Sequence, residues 1–203
     1  MSIEKKKHKG AAGGVSGYPL THPIVGQTRF FNQFQHFIHL VDDEAEKFAH
    51  VFAIIAQRGI GKSRLAYELV SQINDTSPGW YVRDPAGNLT KAQLFHNDAD
   101  RDQYLGLYLR YSQVATESHN IDNWFGYGLY KALLPLTQGT FDTSIQGQIA
   151  KEAYDRLLVR GFDEKKLAEA LEVSVNHSDE DLYEKPTLVT RLCQAAYAYL
   201  EQF

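Results

Sequence analysis

The sequence predicts an α/β fold, in which helices flank a parallel sheet and the C-terminal half is rich in helices. Residues 51–55 (VFAII) form a continuous apolar run, which is typical of a strand buried on both faces of a parallel sheet. A glycine-containing loop follows, and apolar residues then recur at helical spacing over residues 65–73 until Asn74 and Asp75 break the pattern. Strand, loop and helix therefore come in the order of one β–α unit. Few further strands are recognisable, so we expect an incomplete sheet.

The loop in this unit matches a phosphate-binding motif. Residues 56–63 (AQRGIGKS) follow the Walker A, or P-loop, pattern G-x-x-x-x-G-K-(S/T) at Gly61, Lys62 and Ser63, while Ala56 replaces the first glycine. In such a loop, backbone N–H groups turn inward around a polyphosphate, and the following helix N-terminus adds partial positive charge. The sequence therefore predicts a nucleoside triphosphate site.

Each part of the loop has a predicted role. Lys62 is expected to neutralise the β- and γ-phosphates, and the Ser63 hydroxyl is expected to bind Mg²⁺. Backbone N–H groups from Gly59 to Lys62 are expected to cradle the phosphate oxygens, while Arg58 either adds a charge contact or points to solvent. The predicted ATP-binding residues of the loop are Ala56, Gln57, Arg58, Gly59, Ile60, Gly61, Lys62, Ser63 and Arg64.

Two segments resemble known nucleotide-binding families. Residues 58–65 (RGIGKSRL) are similar to the G-I-G-K-S-R-L form common in AAA+ ATPases and in the related signal-transduction ATPases with numerous domains (STAND). Residues 23–27 (PIVGQ) resemble the start of those domains, where an aliphatic–glycine pair lies against the adenine. The resemblance covers residues 22–75 and implies that Val25 and Gly26 border the base. It also implies a Mg²⁺-dependent ATPase whose nucleotide state controls assembly with a protein partner or with itself.

The elements around this unit follow from periodicity and turn residues. A phenylalanine-rich stripe predicts a long helix over residues 27–48. Turn residues between two short β-type runs predict a hairpin within residues 79–95, which we interpret as an insertion. Residues 104–111, rich in aromatic and aliphatic side chains, predict the second parallel strand. The polar residues 96–102 are expected to form a loop.

The C-terminal half is predicted to be helical. Apolar spacing predicts a helix over residues 120–134 that stops at Pro135, and a second helix over residues 145–158. Asp163 is expected to cap a short third helix. Pro186 suits the first turn of a last helix, because proline lacks an N–H that would be unpaired there in any case.

Hydrolysis of ATP requires an acidic residue at the end of an apolar strand, where it holds Mg²⁺ and orients water. Residues 37–44 (FIHLVDDE) look suitable but precede the loop and belong to the predicted long helix. Residues 157–164 (LLVRGFDE) have the right order, yet Arg160 and Gly161 interrupt the run and Asp163 suits a helix cap better. We therefore expect that the chain is the N-terminal part of a larger ATPase or a shortened relative, completed by a continuation or by a partner chain. ATP hydrolysis stays open.

Two other functions remain open beside an ATP-binding module of the AAA+ or STAND type. One is a small-molecule kinase that uses the same loop, for which the chain length is suitable but the long helix ahead of the loop is not typical. The other is a scaffold that binds ATP without hydrolysing it. Each alternative keeps the nucleotide site and differs only in the fate of the bound ATP.

Composition indicates one soluble, cytoplasmic protein. The 203 residues are 43% hydrophobic, enough for a sizeable core, and the net charge of −4 gives no signature of nucleic-acid binding. Cys193 is the only cysteine, which fits a reducing cytosol, and its helical stripe predicts a small core residue. The sequence holds no membrane span and no signal core. We predict an ATP-binding domain over residues 22–203 behind a disordered, basic and glycine-rich tail, residues 1–21.

Other candidate sites have less support. His36 and His39 lie three residues apart on the predicted long helix and His50 lies near its end, but no further ligands stand at zinc spacing, so we expect surface residues. Arg110 and Arg191 are expected to be solvated or paired with carboxylates. No nucleophile motif supports acyl transfer.

Overall fold

A computed structural model describes residues 23–43, 52–55, 57, 61–75, 77, 79–109, 121–175 and 177–203. Over these ranges the chain is rich in helices and contains a small mixed sheet of three strands. None of the described helices is both long and apolar enough to cross a membrane. The predicted tail, residues 1–21, lies outside the described ranges.

The elements are numbered in chain order. The first part of the chain contains β1 (Ile24–Val25), α1 (Thr28–Asp43), α2 (Lys62–Ile73), β2 (Trp80–Arg83), β3 (Leu89–Ala92) and α3 (Asp98–Arg101). The second part contains α4 (Ile121–Leu133), α5 (Ile145–Val159), α6 (Glu164–Ala170), α7 (Asp179–Glu184) and α8 (Pro186–Leu200), with 3₁₀ turns at Leu134–Thr137 and Val173–Val175.

The sheet has the order β1–β2–β3. β1 pairs in parallel with β2, which pairs with β3 in an antiparallel hairpin. The hairpin prediction is confirmed: the Asp84 carboxylate accepts the N–H of Asn88 at 2.8 Å and closes the turn. β2 is the central strand of this sheet and its first residue, Trp80, is fully buried; that residues 79–95 are an insertion stays a prediction. The hairpin therefore supplies two of the three strands.

The predicted strand over residues 51–55 is wrong for the part that the structure describes. Residues 52–55 belong to no strand, and Ile55 is 94% exposed. Phe52 instead contacts three rings of α1, with ring centroids 5.7 Å from Phe30, 5.1 Å from Phe34 and 5.4 Å from Phe37. Residues 52–55 therefore contact aromatic side chains of α1, and they are not part of the sheet that the structure describes.

The second predicted parallel strand is also wrong where the structure describes it. Residues 104–109 belong to no strand, and residues 110–111 lie outside the described ranges. The side-chain amide of Asn74, at the end of α2, donates to the Gly106 carbonyl at 3.0 Å and accepts its N–H at 2.9 Å. A Cβ on Gly106 would lie only 2.9 Å from two atoms of Val70, so glycine is required for this approach. The side chain of Asn74 thus replaces a neighbouring strand.

The predicted helices are confirmed over the described residues. α1 runs to Asp43, and α4 ends just before the 3₁₀ turn that contains Pro135. The Asp163 carboxylate caps α6 by accepting the N–H of Lys165 at 2.9 Å, and Pro186 is the first residue of α8. Two short helices were not predicted: α3 lies within the expected loop, and α7 begins after the cap Ser178.

The buried apolar side chains form three clusters. A large C-terminal cluster joins α4, α5, α6, α7 and α8, and a second cluster packs α1 and α2 around Trp80. A smaller third cluster contains Tyr67 of α2 with Ile145 and Ile149 of α5. The third cluster therefore connects α2 to the C-terminal helices.

Two arginines at the C-terminal end of α5 hold the chain that follows α3: Arg156 in the last turn of the helix and Arg160 at its C-cap. Arg156 donates to the Arg101 carbonyl at 2.6 Å and to the Asp102 carboxylate at 3.1 Å. Arg160 donates to the carbonyls of Asp102 at 2.7 Å and Phe203 at 2.6 Å. Burial lowers the pKa of Arg156, with the neighbouring charge of Arg160 as the next cause. These contacts fix the start of residues 104–109 against α5.

Asn74→Ala tests the contact with Gly106. The substitution leaves the N–H and C=O of a buried residue unpaired, so the free energy of unfolding should fall by about 1–3 kcal/mol for each unpaired group. Urea denaturation followed by circular dichroism measures this change. Asn32→Ala, on the exposed side of α1, is the matched control and should stay within about 0.5 kcal/mol of the wild type. Equal effects of the two substitutions would contradict the role of Asn74.

Candidate functional site

The predicted phosphate-binding loop ends in a left-handed glycine directly before α2. Gly61 has φ 88° and ψ 18°, and its carbonyl accepts the first helical hydrogen bond, from Leu65 N at 3.0 Å. Residues with a Cβ rarely adopt this backbone conformation, so the position favours glycine. Of the other loop residues the structure describes Gln57, Lys62, Ser63 and Arg64; the predicted ligands Ala56, Arg58, Gly59 and Ile60 lie outside the described residues.

The first turn of α2 is unusually cationic. Residues 62–65, all of them described, include Lys62 and Arg64 and no acidic side chain, and Gly61 offers no side chain as a cap. Positive side chains at the positive end of a helix dipole are unfavourable, typically by about 0.3–1 kcal/mol each. An anion bound at this helix end would offset that cost for Lys62, whereas Arg64 already pairs with the Glu68 carboxylate at 3.3 Å.

The side chain of Lys62 turns back over the loop. Its Nζ atom donates to the backbone carbonyl of Gln57 at 2.7 Å, which brings the ammonium group to the opposite end of the loop. Ser63, the next residue, is exposed, so its hydroxyl is accessible from solvent. The charge of Lys62 and the hard oxygen donor of Ser63 therefore lie on consecutive residues at the same helix end.

A buried carboxylate lies one turn further along α2. Glu68 is fully buried; its Oε2 is 3.3 Å from Arg64 Nη2, and its Oε1 accepts a hydrogen bond from Ser77 Oγ. Neither Glu68 nor Ser77 was predicted from the sequence. The sequence contained one signal for Glu68, which lies next to Leu69 of the apolar stripe and four residues after Arg64. Fully buried glutamates are rare unless they are paired, and an arginine four residues away on a helix is such a partner.

The segment expected to border the base lies at the edge of the sheet. Gly26 N donates to the Tyr81 carbonyl at 2.8 Å, and the Gly26 carbonyl accepts Trp80 Nε1–H at 2.7 Å. Gly26 has φ 91°, and the side chain of Val25 is 58% exposed. The contact between Phe30 and Phe52 brings the start of α1 next to the residues that lead into the loop. Val25 is therefore accessible to solvent at this edge of the sheet.

The two acidic stretches considered for Mg²⁺ lie where the sequence indicated. Asp42 and Asp43 are the last residues of α1, and Asp163 caps α6. Neither stretch forms the end of a strand within the described residues. A carboxylate that could orient water for hydrolysis is therefore not assigned to either of them.

The remaining candidates that the structure describes are not gathered into a second site. The ring of His39 stacks on His96 with centroids 5.5 Å apart, and His36 is exposed, but the described side chains contain no group of three potential metal ligands. Arg191 forms an ion pair with Glu172 at 2.9 Å. Arg110 and His50 lie outside the described residues.

Cys193 has the properties expected of a core residue. It is half-buried on α8 and its Sγ lies 3.8 Å from the Gly126 carbonyl. Burial raises the pKa of its thiol to about 11. Because the thiolate is the nucleophilic form, the residue is poorly suited to covalent chemistry at neutral pH.

Comparisons with known proteins give no match, so a function is argued from the residues themselves. No protein-family model matches the chain, and neither the curated proteins nor the solved structures give a match.

Alkylation of Cys193 should be slow in the folded protein. With a thiol pKa of about 11, the thiolate fraction at pH 8 is on the order of one in a thousand, and the rate should rise about tenfold per pH unit below pH 11. Mass spectrometry after timed exposure to iodoacetamide measures it. The urea-unfolded chain is an internal control, since it contains the same single cysteine. Equal rates for folded and unfolded chains would contradict the burial of this thiol.

Proposed function

We propose that the chain is an ATP-binding module in which residues 56–64 hold the triphosphate and Mg²⁺. The observation that carries the proposal is the left-handed Gly61 placed directly before α2, with the Lys62 ammonium group turned back onto the Gln57 carbonyl. This arrangement coincides with the three matching positions of the phosphate-binding motif. The position of Lys62 in the first turn of α2 agrees with the proposal, because a bound anion would offset the unfavourable interaction of this charge with the helix dipole.

Each side chain has a defined part in binding. Lys62 exchanges its backbone carbonyl partner for oxygens of the β- and γ-phosphates, a stronger interaction because both groups are charged. Ser63 supplies a hard oxygen ligand of the kind that Mg²⁺ prefers. Backbone N–H groups from Gly59 to Lys62 donate hydrogen bonds to the remaining phosphate oxygens. Binding is thus dominated by the polyphosphate.

The adenine is proposed to lie against Val25 and Gly26. Support comes from the exposure of Val25 and from the contact that places the start of α1 beside residues 52–55. The resemblance of residues 22–75 to AAA+ and STAND ATPases favours a module whose nucleotide state controls assembly or signalling. Hydrolysis would need an acidic residue that the loop itself does not contain, from another part of the chain or from a partner.

Lys62→Ala is the direct test. ATP with Mg²⁺ should raise the melting temperature of the wild type, and a ligand at about 100 times its Kd stabilises the folded state by about 2.7 kcal/mol. The variant should lose this stabilisation by ATP. In the absence of ATP, the variant and the wild type should have the same melting temperature. Lys166→Ala, at an exposed position of α6, is the matched control and should respond to ATP normally. Unchanged ATP affinity in Lys62→Ala would reject the site.

Gly61→Ala separates backbone strain from binding. A methyl group meets nothing within 4 Å of this position, so its cost is the left-handed backbone alone, about 1–2 kcal/mol of stability. Gly87→Ala is a matched control, because Gly87 also has open space and a φ of 87° but lies in the hairpin turn. Both variants should lose similar stability, measured by urea denaturation, and only Gly61→Ala should also lose ATP affinity. Equal ATP affinity in the two variants would count against the loop.

A further inference from the structure

We infer that Glu68 and Ser77 are positioning residues that hold the phosphate-binding end of α2 in register with the turn at Val25 and Gly26. The inference rests on the proposed function, since it concerns how the two ends of one nucleotide site are kept together. Neither residue contacts the nucleotide in this proposal. Their effect passes through hydrogen bonds between α2, the chain that follows it and the sheet.

The first link is the burial of the Glu68 carboxylate. A fully buried charge must find its partners where it lies, and two described residues supply them: Arg64, one turn earlier on α2, and Ser77 through its hydroxyl. Arg64 belongs to the cationic first turn that also contains Lys62. Glu68 therefore connects the helix end that faces the phosphates to the segment after the helix.

The second link runs from Ser77 into the sheet. Ser77 Oγ donates to Glu68 and accepts the backbone N–H of Gly79 at 2.9 Å. The Gly79 carbonyl in turn accepts Ile24 N–H at 3.0 Å, which is the start of β1. One hydroxyl thus joins the buried charge of α2 to the backbone of β1 through a single intervening residue.

The last link holds the turn itself. Gly26 is bonded on both sides to β2, through its N–H to Tyr81 and through its carbonyl to the indole of Trp80. β2 follows Gly79 directly, so the same short segment carries the contacts to α2 and the contacts to Gly26. A shift of residues 77–79 relative to α2 would therefore move the turn relative to the loop.

Directional contacts add a register that hydrophobic burial alone does not supply. Leu69 of α2 and Trp80 of β2 lie in the same cluster, but hydrophobic contact is non-directional and tolerates sliding. The hydrogen bonds of Ser77 are directional and have defined partners, Glu68 and Gly79. A ligand that contacts both the loop and the turn depends on that register, whereas a ligand that contacts only the loop does not.

Ser77→Ala distinguishes these two ligands. We expect the affinity for ATP with Mg²⁺ to fall about tenfold, the factor that corresponds to one lost hydrogen bond, while the affinity for inorganic tripolyphosphate with Mg²⁺ stays within about twofold. Titration calorimetry or ligand-dependent thermal shift measures both ligands on the same preparation. Lys62→Ala should weaken both ligands together, since both use the loop.

Companion variants separate positioning from a general loss of structure. Ser77→Thr keeps the hydroxyl and should restore the affinity for ATP. Glu68→Met, which removes both acceptor oxygens at similar volume, should repeat the selective loss. Ser174→Ala, at an exposed serine of the 3₁₀ turn Val173–Val175, is the matched control and should leave both affinities unchanged. All variants are compared at a temperature where each is folded by circular dichroism.

The outcomes separate the two proposals. If Ser77→Ala weakens both ligands equally, or neither, while the wild type binds both, the positioning role is overturned and the nucleotide site stands. Failure of Ser77→Thr to restore ATP affinity also overturns it. If the wild type binds neither ATP nor tripolyphosphate, the proposed function is rejected and the inference is rejected with it.

Discussion

The buried carboxylate of Glu68 is the constraint on which the N-terminal half depends, because a charge with no exposure must be matched where it lies. Arg64 forms an ion pair with this carboxylate from within α2, and Ser77 donates a hydrogen bond to it from the chain beyond the helix. Meeting this requirement fixes the path from α2 into β2, which carries Trp80 into the centre of its cluster. The start of α2, the central strand and the turn at Gly26 are thereby held in one arrangement.

Elements whose signals lie within a few residues could be predicted from the sequence. The spacing of apolar residues placed the long helices of both halves, and Asp163 and Pro186 marked helix starts because capping and ring geometry act on adjacent residues. The hairpin turn closed by Asp84 and Asn88 was local in the same way. α7 escaped prediction because six residues carry too little periodicity to be recognised.

Strands and the supports of the site depend on partners far along the chain, which the sequence does not name. Residues 52–55 have the composition of a strand, yet Phe52 meets the rings of α1 instead. Gly106 finds its hydrogen-bonding partner in the side chain of Asn74, 32 residues away. The motif at Gly61 could be recognised because it is contiguous. The contact of Glu68 with Ser77 could not, because no spacing rule pairs a buried carboxylate with a hydroxyl nine residues later.

The contact of Tyr67 with the C-terminal helices means that α2 contributes side chains to two apolar clusters. The Tyr67 ring lies 4.7 Å from that of Tyr108 and packs on Ile145 and Ile149, while Leu69 on the same helix belongs to the cluster around Trp80. A helix that serves two apolar clusters cannot leave one of them without uncovering the other. The described halves therefore share one cooperative element, the twelve-residue helix α2. Local unfolding of either cluster would disturb this helix and so destabilise the other cluster.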